Sequence, residues 1–442
     1  MVAHERGEER LARRLGTLEA VTIGIGGMIG GAIFEAIGVA AGMAGPSVVI
    51  TFCFGALMAS LTGYSYGKLG AKFPEAGGSF SYISRAFKGK SLRVLMGYLI
   101  WFAYISAAAL YTLGFASYMR VFVPLVPDWF FAFGLVAAFT LVNLRGVKET
   151  GMAQNFMVSL KVLILLALVV VSLGSLHVDN FVPLFPFGVP SSLLALGIIF
   201  IGYEGFDIIG TSGEELKEPS KQIPRAIFLS IVVVSFLYIS VSAVSIGVLG
   251  YDELRTSSAP LTRVALRAAG PLGALALGVG GVLSTASAFN AALYGASRIS
   301  FSLSRSNVLP KQIGRLNRMA SPYTAVAVTA VLAALLTTVS LLSEAAVKFA
   351  ASLSSAAFIF VFLMVNLANY RLRHITKPHP AIMWLTICLY LLTMGLLYVA
   401  DPTSWLFVGA WIAFALALDL LLRSKLIKWF YFGRGDYSGS GA

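Results

Sequence analysis

Val21-Thr22-Ile23-Gly24-Ile25-Gly26-Gly27-Met28-Ile29-Gly30-Gly31-Ala32-Ile33-Phe34 is an apolar run broken at mid-length by glycine, and its reading decides the fold. A second such run, Phe200-Ile201-Gly202-Tyr203-Glu204-Gly205-Phe206-Asp207-Ile208-Ile209-Gly210, stands near the middle of the chain. A bilayer offers no partner to an opened backbone, so breaks of this kind persist only where they line a buried cavity. Two of them, at corresponding places in two halves, point to a solute site at the bilayer midplane.

The surrounding composition agrees. With 58% hydrophobic residues, 12% charged residues and a mean hydropathy of +0.83, the chain is solvated largely by lipid. Apolar segments of roughly 20 residues, enough to cross a hydrocarbon core of about 30 Å, recur about 12 times. They are expected near 17–42, 46–66, 95–122, 129–144, 152–174, 191–213, 225–249, 271–302, 322–342, 347–368, 380–399 and 403–423. The fold class is therefore an all-α polytopic membrane protein. The opening segment, Met1 to Leu15, is mixed-charge and lacks a short apolar region with a cleavage site, so it does not read as a signal peptide.

A net charge of +13 could suggest nucleic acid, but its distribution excludes that reading. Arg6, Arg10, Arg13 and Arg14 precede the first span, and Lys68, Lys72, Arg85, Lys88, Lys90 and Arg93 lie between the second and third. Arg145 and Lys148, then Lys217, Lys221 and Arg225, then Arg305, Lys311, Arg315 and Arg318, then Arg371, Arg373 and Lys377 continue the pattern in every second loop. This places both termini and those loops in the cytoplasm of a cell (plasma or inner) membrane protein. Arg255, Arg263 and Arg267 are the exception.

Catalytic chemistry finds no support. Cys53 and Cys388 lie in apolar stretches, and His4, His177, His374 and His379 are scattered through termini and loops. The sequence carries no metal-ligand cluster, phosphate loop or nucleophile motif. No metal and no cofactor is expected, and transport is favoured over catalysis.

Tyr66-Gly67-Lys68-Leu69-Gly70-Ala71-Lys72-Phe73-Pro74-Glu75-Ala76-Gly77-Gly78-Ser79 resembles the signature after the second span of the amino acid, polyamine and organocation transporter superfamily. Met28 to Phe34 is similar to that family's first-span motif. Gly205-Phe206-Asp207, followed by Glu214-Glu215-Leu216-Lys217-Glu218-Pro219 and Ile223-Pro224-Arg225-Ala226-Ile227, is similar to its sixth span and the loop beyond. The resemblance covers most of residues 17–320. It implies a leucine-transporter-like fold with broken first and sixth helices. Residues 17–174 and 191–370 would be two inverted repeats of five helices each, with 380–424 peripheral, 1–16 a cytoplasmic segment and 425–442 a cytoplasmic tail.

On that fold the helix after each break presents free N–H groups and a dipole that favours an anion. Gly30, Gly31 and Ala32 suit a substrate carboxylate. Unwound carbonyls from Ile23 and Gly26 in the first span, and from Phe200 and Tyr203 in the sixth, suit an ammonium group, and Ile29 is a further substrate-binding candidate. Glycine there permits close backbone approach; tight packing of small residues is the competing reading.

Lys161 lies about two turns inside the fifth span, where a charge is costly and usually functional. In the proton-coupled branch that the chain resembles, a fifth-span lysine contacts the first-span backbone and an eighth-span serine, in the place sodium fills in related carriers. The resemblance assigns those roles to Lys161, Gly26 and Ser284, with the lysine alternating between charged and neutral states. Snorkelling of Lys161 to the interface is the plainer alternative.

Glu204 departs from the family, which usually carries an apolar residue there. Glu35, about a turn beyond the first break, is a second unusual acid; Asp207 is ordinary for the family. Each is a candidate partner for a cationic substrate group or a proton. Tyr203 and Phe206 are candidate gate residues, with Phe200, Tyr104 and Phe358 as further lid candidates. The expected partners are an amino acid or amine, protons and membrane lipid. The leading reading is proton-coupled import of amino acids. A polyamine or cationic amino acid carrier or exchanger is the alternative, and a non-transporting membrane receptor is more remote.

Overall fold

The computed structural model describes residues 11–400 apart from Ser258, together with 405–406, 409–410 and 412–413. The side-chain surroundings of Gly31, Ala32, Glu35, Ala36, Ile198, Ile201, Leu397 and Ala400 also lie outside the described residues. In chain order the helices are α1 Thr17–Met28, α2 Gly31–Ala44, α3 Val48–Lys72, α4 Ser79–Ala86, α5 Lys90–Phe122, α6 Asp128–Arg145, α7 Val147–Ser172, α8 Gly188–Ile201, α9 Ile208–Thr211, α10 Pro219–Thr256, α11 Pro260–Arg305, α12 Tyr323–Leu342, α13 Glu344–Arg371, α14 Arg373–Thr376 and α15 Pro380–Ala400. The described residues contain no strand beyond one isolated parallel bridge between Leu15 and Leu216.

Eight helical stretches among the described residues are long and apolar enough to cross a membrane. The first and sixth expected spans are each split, into α1 and α2 and into α8 and α9. Most of the twelfth, and the tail at 425–442, lie outside the described residues. The short helix α4 was not expected; its start follows Gly78 at φ +49°.

Glycine and proline set the ends of the long helices. α10 and α11 begin at Pro219 and Pro260, where a missing N–H costs nothing. Each also contains a glycine at positive φ, Gly250 at 72° and Gly270 at 68°, which separates a short segment from the main span. The arginines that depart from the alternating charge pattern belong to those segments. Arg255 pairs with Asp252 at 3.0 Å, and Arg263 and Arg267 share Glu253 at 3.0 and 3.5 Å, so two carboxylates offset most of the charge of the three arginines.

The two broken helices occupy the interior. α1 packs against α7, α10 and α11, and α8 packs against α2, α3 and α15. Large apolar side chains such as Phe156, Leu163, Phe228, Phe236, Leu335 and Trp384 are exposed on the periphery. Apolar side chains exposed in this way suit contact with lipid.

Candidate functional site at the helix breaks

The backbone leaves helical geometry at Ile29 and Gly30, then resumes as α2. On the other side α8 gives way to turns through 202–207 before α9. The breaks touch: Gly205, at φ +119°, lies so close to Gly27 that a Cβ there would sit 2.4 Å from the Gly27 carbonyl carbon. Tyr238 of α10 joins them, its hydroxyl donating to Met28 O at 2.7 Å and to Gly202 O at 3.0 Å. No side chain caps the N-terminus of α2 at Gly30. Its first N–H groups are thus left for another acceptor.

The carbonyls at the first break match the expected set only in part. Ile23 lies inside α1, a turn before the break, and Ile29 N still closes onto Ile25 O at 2.8 Å. Gly26 O and Ile29 O both turn to Lys161 Nζ, whereas Met28 O accepts from Gly30 N at 2.9 Å and from the Tyr238 hydroxyl. In the second break, Phe200 O accepts Tyr203 N at 2.9 Å and so closes a turn.

Lys161 is completely buried, which excludes snorkelling in this conformation. Its Nζ donates to Gly26 O at 3.4 Å, to Ile29 O at 2.5 Å and to Ser287 Oγ at 2.7 Å. The serine that meets the lysine is therefore Ser287 and not Ser284. Both lie on one face of α11, a turn apart, and Ser287 is level with the break. The buried Ser284 hydroxyl has no hydrogen-bond partner.

Beneath the lysine runs a chain of amides that sequence reasoning missed. Gln154 donates to Thr22 O at 3.4 Å and to Ser287 O at 3.1 Å, and its own oxygen accepts from Asn290 at 2.7 Å. Asn290 in turn accepts from Asn143 at 2.9 Å. A Cβ on Gly26 would fall 1.6 Å from Gln154 Nε2, so the glycine makes room for this amide. Polar residues at helical spacing in an apolar run were the available signal.

The acids separate into a satisfied and an unsatisfied one. Asp207 is buried, accepting from the Tyr104 hydroxyl and, at 3.2 Å, from Gly205 N. Glu204 is only 7% exposed, and its Oε1 is sealed from solvent with no hydrogen-bond partner. The side chain of Glu35 lies outside the described residues, as do the surroundings of Gly31 and Ala32.

Of the two gate candidates, Tyr203 is held by α3. Its hydroxyl donates to Phe52 O of α3 at 2.9 Å and its ring lies edge-on to Tyr238, so it ties the second break to α3. Phe206 stacks on Phe362 of α13 at 5.3 Å and meets Tyr66 edge-on. Phe358 joins the same aromatic group, 4.9 Å from Tyr104, and Phe200 contacts Phe362 and Tyr390.

A second buried cluster closes the end of the bundle where α1 begins. Arg298 of α11 and Glu215 are essentially unexposed and form two hydrogen bonds, at 2.8 and 3.1 Å. Tyr294 adds its hydroxyl to Glu215 at 2.5 Å, and its ring lies 4.0 Å beneath the guanidinium. Leu15 brackets this loop with backbone bonds, its N–H to Glu215 O at 2.9 Å and its carbonyl from Lys217 N at 3.2 Å. Glu214 pairs with Arg305 and accepts from Ala76 N, and Glu75 pairs with Arg85. Arg298 was missed although it gives the same signal as Lys161, a single charge in an apolar run.

Known proteins are similar to this chain over most of its length. Residues 15–417 match the family model described as amino acid permease. An uncharacterised protein of Methanocaldococcus jannaschii is 35% identical over 81% of this chain and 82% of its own length. The branched-chain amino acid permease BcaP of Bacillus subtilis is 27% identical over 94% of this chain and 95% of its own. The methylthioribose transporter of the same organism is 31% identical over 68% of this chain and 69% of its own.

Proposed function

The chain belongs to the amino acid permease family, and we propose that it is a secondary active transporter that imports an amino acid by proton-coupled alternating access. The proposed architecture is the leucine-transporter-like one. Residues 17–174 and 191–370 form the two inverted repeats, 380–424 is peripheral, and both termini face the cytoplasm. In this reading α1 with α2, and α8 with α9, are the broken first helices of the two repeats.

The substrate carboxylate takes the uncapped N-terminus of α2 at Gly30, Gly31 and Ala32, where the dipole favours negative charge. Its ammonium group faces carbonyls of the breaks. Phe206, stacked on Phe362, covers the site when it is occluded.

Lys161 carries the reading. A charged lysine in a dry core is tolerated only while acceptors compensate its lost hydration. Here those acceptors are the Gly26 and Ile29 carbonyls and the Ser287 hydroxyl, so the proton on Lys161 is tied to the shape of the first break. Loss of that proton removes the charge that holds the open carbonyls and frees the break to move.

The test is uptake of a labelled amino acid panel plus putrescine into proteoliposomes, under an imposed proton or sodium gradient, for the native protein and Lys161→Ala. Uptake that follows the proton gradient, ignores sodium and disappears in the variant is expected. Uptake that needs only substrate on the opposite side, or that survives the substitution, makes the protein an exchanger or a differently coupled carrier. Binding without uptake makes it a receptor.

A further inference from the structure

We propose that Glu204 is the counterion for a positively charged side chain on the substrate, so that the site selects cationic amino acids over neutral ones of the same shape. The inference rests on the reading of the two breaks as the amino acid site, and it adds the chemical class that the site takes.

The buried charges described around the breaks are otherwise met. Lys161 has three acceptors, Asp207 has the Tyr104 hydroxyl and Gly205 N, and Glu215 has Arg298 and Tyr294. Glu204 has no hydrogen bond or ion pair among the described residues, and its Oε1 is sealed within the protein. A buried carboxylate left so is costly unless it is neutralised by a proton or by a cation.

Position favours the cation. Glu204 immediately precedes Gly205, the residue against Gly27, so it stands where the two broken helices meet. Tyr104 and Tyr111 of α5 lie within electrostatic reach of it. Tyr111 also lies against Gly30, where a Cβ would come within 2.7 Å of its ring. A buried carboxylate at the meeting of the two breaks suits an ammonium or guanidinium group through charge-assisted hydrogen bonding. Such a substrate would hold its carboxylate on α2 and its side-chain cation at Glu204.

Pairs of ligands that differ only in this charge test the proposal: L-arginine against L-citrulline, and L-lysine against L-norleucine, with binding to the purified full-length protein measured by calorimetry. The native protein is expected to bind each cation at least about 30-fold more tightly than its neutral partner, the scale set by removing one member of a buried charge pair. Glu204→Gln should bring both ratios close to unity, and Glu204→Asp should restore part of the preference. A native ratio at or below unity overturns the proposal without any variant, as does a preference that Glu204→Gln keeps. Binding of the neutral ligands alone overturns this assignment and leaves the amino acid site standing. Failure of every amino acid to bind overturns both.

Discussion

Gly27 and Gly205 stand in backbone contact, and through them the breaks of the two interrupted helices meet. A Cβ on Gly205 would lie 2.4 Å from Gly27 C and 2.7 Å from Met28 N, and Gly205 itself occupies φ +119°. Side chains are thus excluded at Gly205 twice, by conformation and by space. Tyr238 bridges the same two breaks with one hydroxyl, so their separation is set by backbone contact and a shared donor.

Gly205→Ala is therefore expected to be severe. The backbone strain alone costs about 1–3 kcal/mol, and displacement of Gly27 adds to it. Gly27→Ala should be milder, because Gly27 needs no positive φ, its nearest neighbour is the flexible Ile208 Cδ1 at 2.9 Å, and the Gly205 backbone stands slightly farther, at 3.1 and 3.2 Å. Thermal unfolding of both variants in detergent checks the order. A Gly205→Ala protein as stable as the parent would show that the helices do not meet there.

Gly26 and Gln154 should be energetically coupled. An alanine at 26 must push aside the amide that bridges Thr22 O, Ser287 O and Asn290. Once Gln154→Ala has removed that amide, Gly26→Ala should cost less. A four-protein cycle followed by denaturation is expected to give a coupling of about 0.5–3 kcal/mol. Strict additivity would place the amide elsewhere.

Much of this site was legible in the residues, for identifiable reasons. Breaks and buried charges announce themselves because glycine and lysine are anomalous in a lipid-solvated run, which is why Gly26, Gly30 and Lys161 stood out. Rotation within a face is not encoded so openly. Ser284 and Ser287 share one stripe of α11, and only packing against α7 decides which of them meets the lysine. Tyr203 sits in the break, yet its hydroxyl turns to Phe52 O, a partner 151 residues away that no local pattern indicates. Arg298 likewise finds Glu215 only through the tertiary fold.

The serine assignment has its own test. Ser287→Ala removes an acceptor from the Lys161 ammonium and should destabilise the protein by about 1.5–3 kcal/mol, the range for hydrogen bonds to charged groups. Ser284→Ala deletes a hydroxyl without a partner and should change stability by less than about 0.5 kcal/mol. Uptake should follow the same order. Equal effects from both variants, or a larger effect at Ser284, would return the lysine contact to the residue first expected.

The Glu215–Arg298 pair separates stability from function. Arg298→Met strands a carboxylate that is almost wholly buried, and such losses cost about 3–5 kcal/mol. Replacing both partners with methionine should recover most of that, since apolar side chains of similar volume need no compensating charge. The Leu15 bridge would survive in the double variant, because it uses the backbone of Glu215 and Lys217 and not their side chains. Denaturation measurements on the single and double variants test the energetics. Uptake by the double variant then decides what the pair is for. Full activity would make it a packing solution with no part in the transport cycle. A stable but inactive protein would mean that the charges are broken and remade as this end of the bundle opens, a step that methionine can hold shut but cannot reverse.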